Sequence, residues 1–234
     1  MEPLFKIEIR CQMCSQVFQT SRVRPSFKRP FRSDEDFCGH YKEVNPDFYV
    51  VRVCPYCGYA STENFAGAVT DRQRDLFHAK VGVQWVPREY GGVRTAETAL
   101  ETYKLALLCA QIKGERGRVV AGLLHHIAWL YRYEDHKEQE QRFLAFALEA
   151  YTKVYEEENG EINNARLMYL MGELNRRTGH YYEAVKWFGR VINDKKIMDS
   201  AMIRASREQW MATRTDMLAA KVQLPDEMKE EGIR

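Results

Sequence analysis

The residues best placed to do chemistry are cysteines. The chain has six, and four of them form two C-x-x-C pairs, Cys11/Cys14 in "CQMC" and Cys54/Cys57 in "CPYC". Thiols spaced this way on a tight turn aim at one point, and two such turns brought together complete a tetrahedral four-thiolate shell. The chemistry implied is structural zinc, because a shell closed by four sulfurs keeps no position for a reacting group. Three other readings compete. A redox dithiol needs its pair at a helix start in a βαβ setting, whereas "CPYC" follows the β-branched run "FYVVRVC" and leads into "GYAS". A disulfide framework belongs to oxidising compartments. Unliganded buried cysteines leave the paired spacing unexplained. Gly58, directly after the second pair, suits a turn residue with positive φ.

The spacer between the pairs is longer than is common for a zinc ribbon. It leaves room for an inserted loop carrying Cys38 and His40 in "FCGHY", which are possible additional ligands or packing residues. Cys109 shares a predicted helix face with Leu105, Leu108 and Ile112 and reads as a small buried hydrophobe.

A second candidate is the basic run "SRVRPSFKRPFR". Arg22, Arg24, Lys28, Arg29 and Arg32 are interleaved with Phe27 and Phe31, a composition that can hold phosphates and stack bases. The plainer reading is a solvated loop balanced by the "SDED" that follows. The formal net charge of the whole chain is only +2, so no global electrostatic footprint for nucleic acid exists. His125 and His126 are adjacent and point to different helix faces, and no metalloprotease, nucleophile-elbow or phosphate-loop motif occurs. The expectation is a protein that is not an enzyme.

The elements that must position these residues change character along the 234-residue chain. Residues 1–66 alternate apolar and polar in "LFKIEIRC" and hold most of the prolines, as a small β-rich zinc module would. Residues 67–93 read as a linking helix, with Thr70 and Gln73 forming a capping box, followed by the Gly- and Pro-containing loop "GVQWVPREYGGV". Residues 94–222 have helical periodicity, with helices expected near 95–112, 118–133, 137–157, 163–178, 181–193 and 199–220. Residues 223–234 form a charged tail.

Three helices repeat one pattern: Ala99/Tyr103/Ala106, Ala147/Tyr151/Val154 and Ala184/Phe188/Val191. Each set lies on one helix face, alanine admitting a neighbouring helix and the aromatic filling the space beside it. With Gly172 and Gly179 ahead of the third set, the pattern resembles a tetratricopeptide repeat, although the intervals exceed the usual ~34 residues. An irregular helical bundle is the alternative. The fold class expected is mostly α: a zinc-ribbon-like module followed by antiparallel, tetratricopeptide-like helices. Such arrays leave a groove lined by the first helix of each pair. Here that predicts His125, Trp129, Arg132, Tyr169, Glu173 and Arg176 as peptide-groove residues, or else as contacts to neighbouring elements.

The N-terminal pattern "CQMCSQVF … DFCGHYKEVNPDFYVVRVCPYCGYAS" resembles a bacterial family catalogued as a domain of unknown function, number 2225. Cys11, Cys14, Cys38, Asn45, Pro46, Cys54, Pro55, Cys57, Gly58 and Tyr59 stand at its motif positions, ahead of a tetratricopeptide-like helical region. The resemblance implies a bacterial cytoplasmic zinc-binding protein and brings no activity with it. The N-terminus has no basic segment leading into an apolar one, and no run of about 18 apolar residues occurs, so neither a signal peptide nor a membrane span is expected. The functional expectation is a zinc-organised adaptor or scaffold that binds a protein or peptide. The alternative is a nucleic-acid-binding or regulatory protein using the basic-aromatic loop.

Overall fold

The computed structural model describes residues 1–157 and 164–229. The expected helix start at 163 and the last five residues of the charged tail lie outside them. The chain is mostly α-helical, with short antiparallel strand pairs confined to its N-terminal part. It divides into two compact units, Met1–Ala147 and Leu148–Arg234. Among the described residues, no helix is long and apolar enough to cross a membrane.

The first unit begins with three antiparallel hairpins. Strands β1 (Leu4–Arg10) and β2 (Val17–Val23) pair in the register Arg10↔Val17, which leaves Cys11 to Gln16 as the tip. Strands β3 (Arg32–Ser33) and β4 (Gly39–His40) form a short second hairpin, and β5 (Arg52–Val53) and β6 (Ala60–Ser61) a third with Cys54–Tyr59 at its tip. Helix α1 (Asp71–Lys80) starts at the expected capping box: Thr70 Oγ1 accepts from Gln73 N at 3.3 Å, and Gln73 Oε1 accepts from Thr70 N at 2.8 Å.

Helices α2 (Ala96–Lys113) and α3 (Gly117–Tyr133) then pack as a pair, and α2 also packs on the hairpins. The repeat residues of α2, Ala99, Tyr103 and Ala106, are fully buried in the core shared with Val51, Val53, Tyr59 and Phe77. Tyr103 donates to the Asp47 carbonyl at 2.9 Å. Cys109 is buried, as expected, and its Sγ accepts from Ala60 N at 3.4 Å. These contacts explain why the compact unit extends through α3 instead of ending near residue 94: the cysteine-bearing hairpins are too small to bury a core alone, and the first helical pair supplies the missing apolar surface. The loop after α1 is equally committed. Ser21 Oγ donates to the Gly91 carbonyl at 2.6 Å, and Arg94 donates to the Phe48 and Val51 carbonyls at 2.8 Å each.

Helix α4 (Lys137–Glu157) runs across the division. In the second unit, α5 (Ala165–Arg177), α6 (Tyr181–Asn193) and α7 (Ser200–Ala219) pack on one another, followed by the short α8 (Asp226–Lys229). Gly179 turns the chain between α5 and α6 with φ +80°. Ala184, Phe188 and Val191 are fully buried on α6. Gly172 on α5 is required by the crossing: a Cβ there would lie 2.6 Å from Phe188 Cε1.

Candidate metal centre

Two turns of like construction carry the four cysteines. In the first, Ser15 N donates to Cys11 O and Cys11 N to Gln16 O, both at 2.9 Å. In the second, Gly58 N donates to Cys54 O and Cys54 N to Tyr59 O, again at 2.9 Å. The residue after each second cysteine has positive φ, Ser15 at +63° and Gly58 at +78°. This bend turns each pair of thiols inward.

The two turns face each other crosswise. Cys11 Sγ lies 3.6 Å from Cys57 Sγ, and Cys14 Sγ 3.6 Å from Cys54 Sγ. All four sulfurs fall within 4.8 Å of one another, an arrangement that can hold a metal ion. A disulfide would need about 2.05 Å, so the four are free thiols.

The crowding sets their acidity. Hydrogen bonding from Cys11 and Cys57 pulls the Cys54 thiol down to about 2. The partner thiols are pushed the other way, Cys11 up to about 12, chiefly through Cys54, and Cys57 upward, chiefly through Cys11. Thiols this close do not all ionise on their own. A cation held by Cys11, Cys14, Cys54 and Cys57 would reverse that balance and take all four as thiolates.

The surroundings fix the turns from outside. Trp85 lies across Gly58, where a Cβ would collide with its ring, and its Nε1 donates to the Pro55 carbonyl at 2.9 Å. Arg74 on α1 donates to the Gln12 and Met13 carbonyls at 2.7 and 2.6 Å. Tyr59 packs edge-on to Phe77 at 5.6 Å and donates to Gln12 Oε1 at 3.2 Å. Sequence reasoning missed Trp85 and Arg74. The tryptophan stands in a segment read as a linker, and its aromatic ring beside Pro and Gly was the only signal.

Cys38 and His40 belong to a different cluster, with Asp34. Cys38 is fully buried and donates to Tyr133 Oη at 3.3 Å. His40 Nε2 lies 2.9 Å from Asp34 Oδ1 and 2.9 Å from Arg32 Nη2. Asp34 also pairs with Arg132 at 2.9 Å, so this carboxylate is already neutralised by guanidinium groups. Neither Cys38 nor His40 joins the four-cysteine centre.

The residues predicted to face a groove are largely turned inward. On α3, Arg132 grips the fully buried Asp36 through Nη1 at 2.8 Å and Nη2 at 2.7 Å, Trp129 Nε1 donates to Asp36 at 3.1 Å, and His125 Nε2 stands 3.3 Å from it. Burial holds His125 below the usual imidazole range, although Asp36 opposes this. These three residues therefore anchor the β3–β4 loop and do not line an open surface. On α5, Tyr169 and Glu173 are buried, and Glu173 pairs with Arg176 at 2.8 Å and Arg177 at 2.6 Å. At these positions the buried charges have partners within the chain, as burial of a charge requires.

The basic run is likewise divided. Arg22 pairs with Glu63 at 2.6 Å. Arg24 donates to the Glu2 carbonyl at 3.0 Å and lies over the Phe5 ring. Arg32 goes to Asp34 and His40. Phe27 is half-buried, Phe31 is exposed, and Lys28 and Arg29 are exposed.

No curated protein and no solved structure matches the chain. One family model does, over residues 4–213, which take in both cysteine pairs and all the helices from α1 to α6. The chain belongs to that family, described as an uncharacterised protein conserved in bacteria (DUF2225).

Proposed function

We propose that this protein is a zinc-dependent interaction protein and not an enzyme: zinc on Cys11, Cys14, Cys54 and Cys57 organises the first unit, and the second unit offers a peptide-binding cleft. The observation that carries the reading is the spacing of the four sulfurs. A tetrahedral zinc–thiolate shell with bonds of about 2.3 Å has edges of roughly 3.8 Å, close to the 3.6 Å of both crosswise pairs. Four soft thiolates in this shape suit zinc, with iron the competing choice. When bound, zinc adds folding free energy, on the order of 10 kcal/mol in small modules. Four protein ligands leave no position for substrate or water, which supports a structural role.

The partner surface shifts from the inward-turned residues of α3 and α5 to a cleft of about 520 Å3 formed by α6 and α7. Val185, Ile192 and Trp210 give it an apolar lining, and its cations are Lys186, paired with Glu183 at 2.6 Å, and Arg190, over the Trp187 ring. That chemistry fits an acidic peptide carrying a bulky apolar side chain. A nucleic-acid role for the basic-aromatic loop has less support, since the formal net charge is only +2 and Arg24 and Arg32 are engaged within the chain.

The test is selection from a displayed random peptide library on the zinc-loaded full chain and on the variant Lys186→Glu/Arg190→Glu. The reading expects acidic, apolar sequences on the wild type and their loss on the variant. Selection of the same sequences on both proteins, or of none on the wild type, counts against it.

A further inference from the structure

A cleft of about 330 Å3 opens on the first unit, away from the four thiols in its lining and rich in cations. Arg22 comes from β2, Lys28 from the turn that follows it, and Arg52 from β5. A single acid, Glu63, shares the lining with them. Arg22 Nη2 stands 2.6 Å from Glu63 Oε1, and Arg52 Nη2 donates to the same oxygen. Two guanidinium groups therefore converge on one carboxylate oxygen. Their own side chains are 34% and 20% exposed, whereas Glu63 is 57% exposed. Of the three side chains, the acid is the most exposed. Lys28 has no partner among the described residues, so three positive charges face one negative charge.

Convergent guanidinium forks are how proteins take a phosphate group, whose several oxygens accept from both planes at once. A carboxylate satisfies such a pair only partly. The rest of the lining mixes Tyr41 with the apolar Val23, Pro46 and Val50, while Tyr49 is buried beneath Arg94 and accepts from the Arg94 amide at 3.1 Å. The volume lies in the range of small-ligand sites.

We propose that this cleft binds a small phosphorylated molecule, with the phosphate between Arg22, Arg52 and Lys28 and the organic part against Tyr41, Pro46 and Val50. Glu63 is then an internal competitor that holds the forks in place until the phosphate displaces it.

The zinc-loaded full chain is titrated calorimetrically with adenosine monophosphate, inorganic phosphate, adenosine and an unphosphorylated single-stranded oligonucleotide. The monophosphate is expected to saturate, inorganic phosphate to bind more weakly, and adenosine not to bind. Lys28→Gln, an exposed position that folding does not need, lowers monophosphate affinity about tenfold, the worth of one charge-assisted contact. Glu63→Gln raises it about fivefold, because the competitor is gone. The proposal is overturned if neither phosphate nor the monophosphate saturates at millimolar concentration on the wild type and on Glu63→Gln. Equal binding of adenosine also overturns it. So does an oligonucleotide that binds more tightly with a salt slope of several phosphates, since the cations then serve a nucleic-acid backbone.

Discussion

Ser15 and Gly58 occupy the same place in the two cysteine turns. Each follows the second cysteine of its pair, each donates its amide to the first cysteine's carbonyl at 2.9 Å, and each has positive φ. Only one of them is the residue type that this backbone favours. A left-handed conformation costs a non-glycine residue roughly 1–2 kcal/mol. Ser15→Gly is expected to stabilise the protein by up to about 1 kcal/mol. Gly58→Ala is expected to cost more than the backbone strain alone, because its Cβ would collide with Trp85. Denaturant unfolding at fixed zinc concentration measures both, and a stabilising Gly58→Ala would contradict the geometry.

Asp36 and Arg132, 96 residues apart, form a two-bond ion pair around a fully buried carboxylate. Arg132 also holds Asp34 at 2.9 Å and Glu140 at 2.6 Å, so removing Asp36 leaves its charge compensated but takes away the two charge-assisted hydrogen bonds to the buried carboxylate. Asp36→Asn is expected to destabilise by about 1.5–3 kcal/mol, the range for lost hydrogen bonds to a charged group. The reading is wrong if the midpoint of unfolding does not move.

His125 gives that network a pH dependence. Its folded pKa lies below the unfolded value, so the unfolded chain binds a proton that the folded chain refuses. The stability is fully present above about pH 6.5 and falls as the pH drops below that unfolded pKa. The slope from this one group approaches roughly 1.4 kcal/mol per pH unit at most. Comparing stability against pH for the wild type and His125→Gln isolates it from acid release of metal. Identical slopes in the two proteins would remove His125 as the cause.

In the second unit, Gly172→Ala should reverse the usual helix rule. In an open helix the change gains about 1 kcal/mol. Here the new Cβ meets the ring of the fully buried Phe188, and overpacking of this kind costs about 1–3 kcal/mol. A net loss of about 1 kcal/mol is expected in thermal or denaturant unfolding, and a gain would show that α5 and α6 cross less closely.

What could be read from the residues beforehand was local. The C-x-x-C spacing, the positive φ at Gly58, the Thr70 capping box and the helix spans all depend on neighbours within a few positions, as do the buried Ala-x-x-x-aromatic faces of α2 and α6. What could not be read was long-range. "SDED" looked like a counterweight to the basic run, yet Asp34 and Asp36 reach across to Arg132 on α3. His125 and Trp129 looked like groove residues because helical periodicity shows which residues share a face but not what covers that face. Trp85 lies in a segment with no regular periodicity, so an aromatic ring near Pro and Gly was all that marked its place over the second turn. The convergence of Arg22 and Arg52 on Glu63 joins three segments whose pairing only the folded chain defines.

The central claim is that four cysteines close around one zinc ion, and elemental analysis tests it most directly. Protein purified in reductant without added metal is compared with Cys54→Ser/Cys57→Ser and with Cys38→Ser, and iron and copper are counted beside zinc. The account predicts one zinc per chain in the wild type, retained in Cys38→Ser and lost in the double variant. A wild-type protein without zinc, or a double variant that keeps it, would contradict the claim.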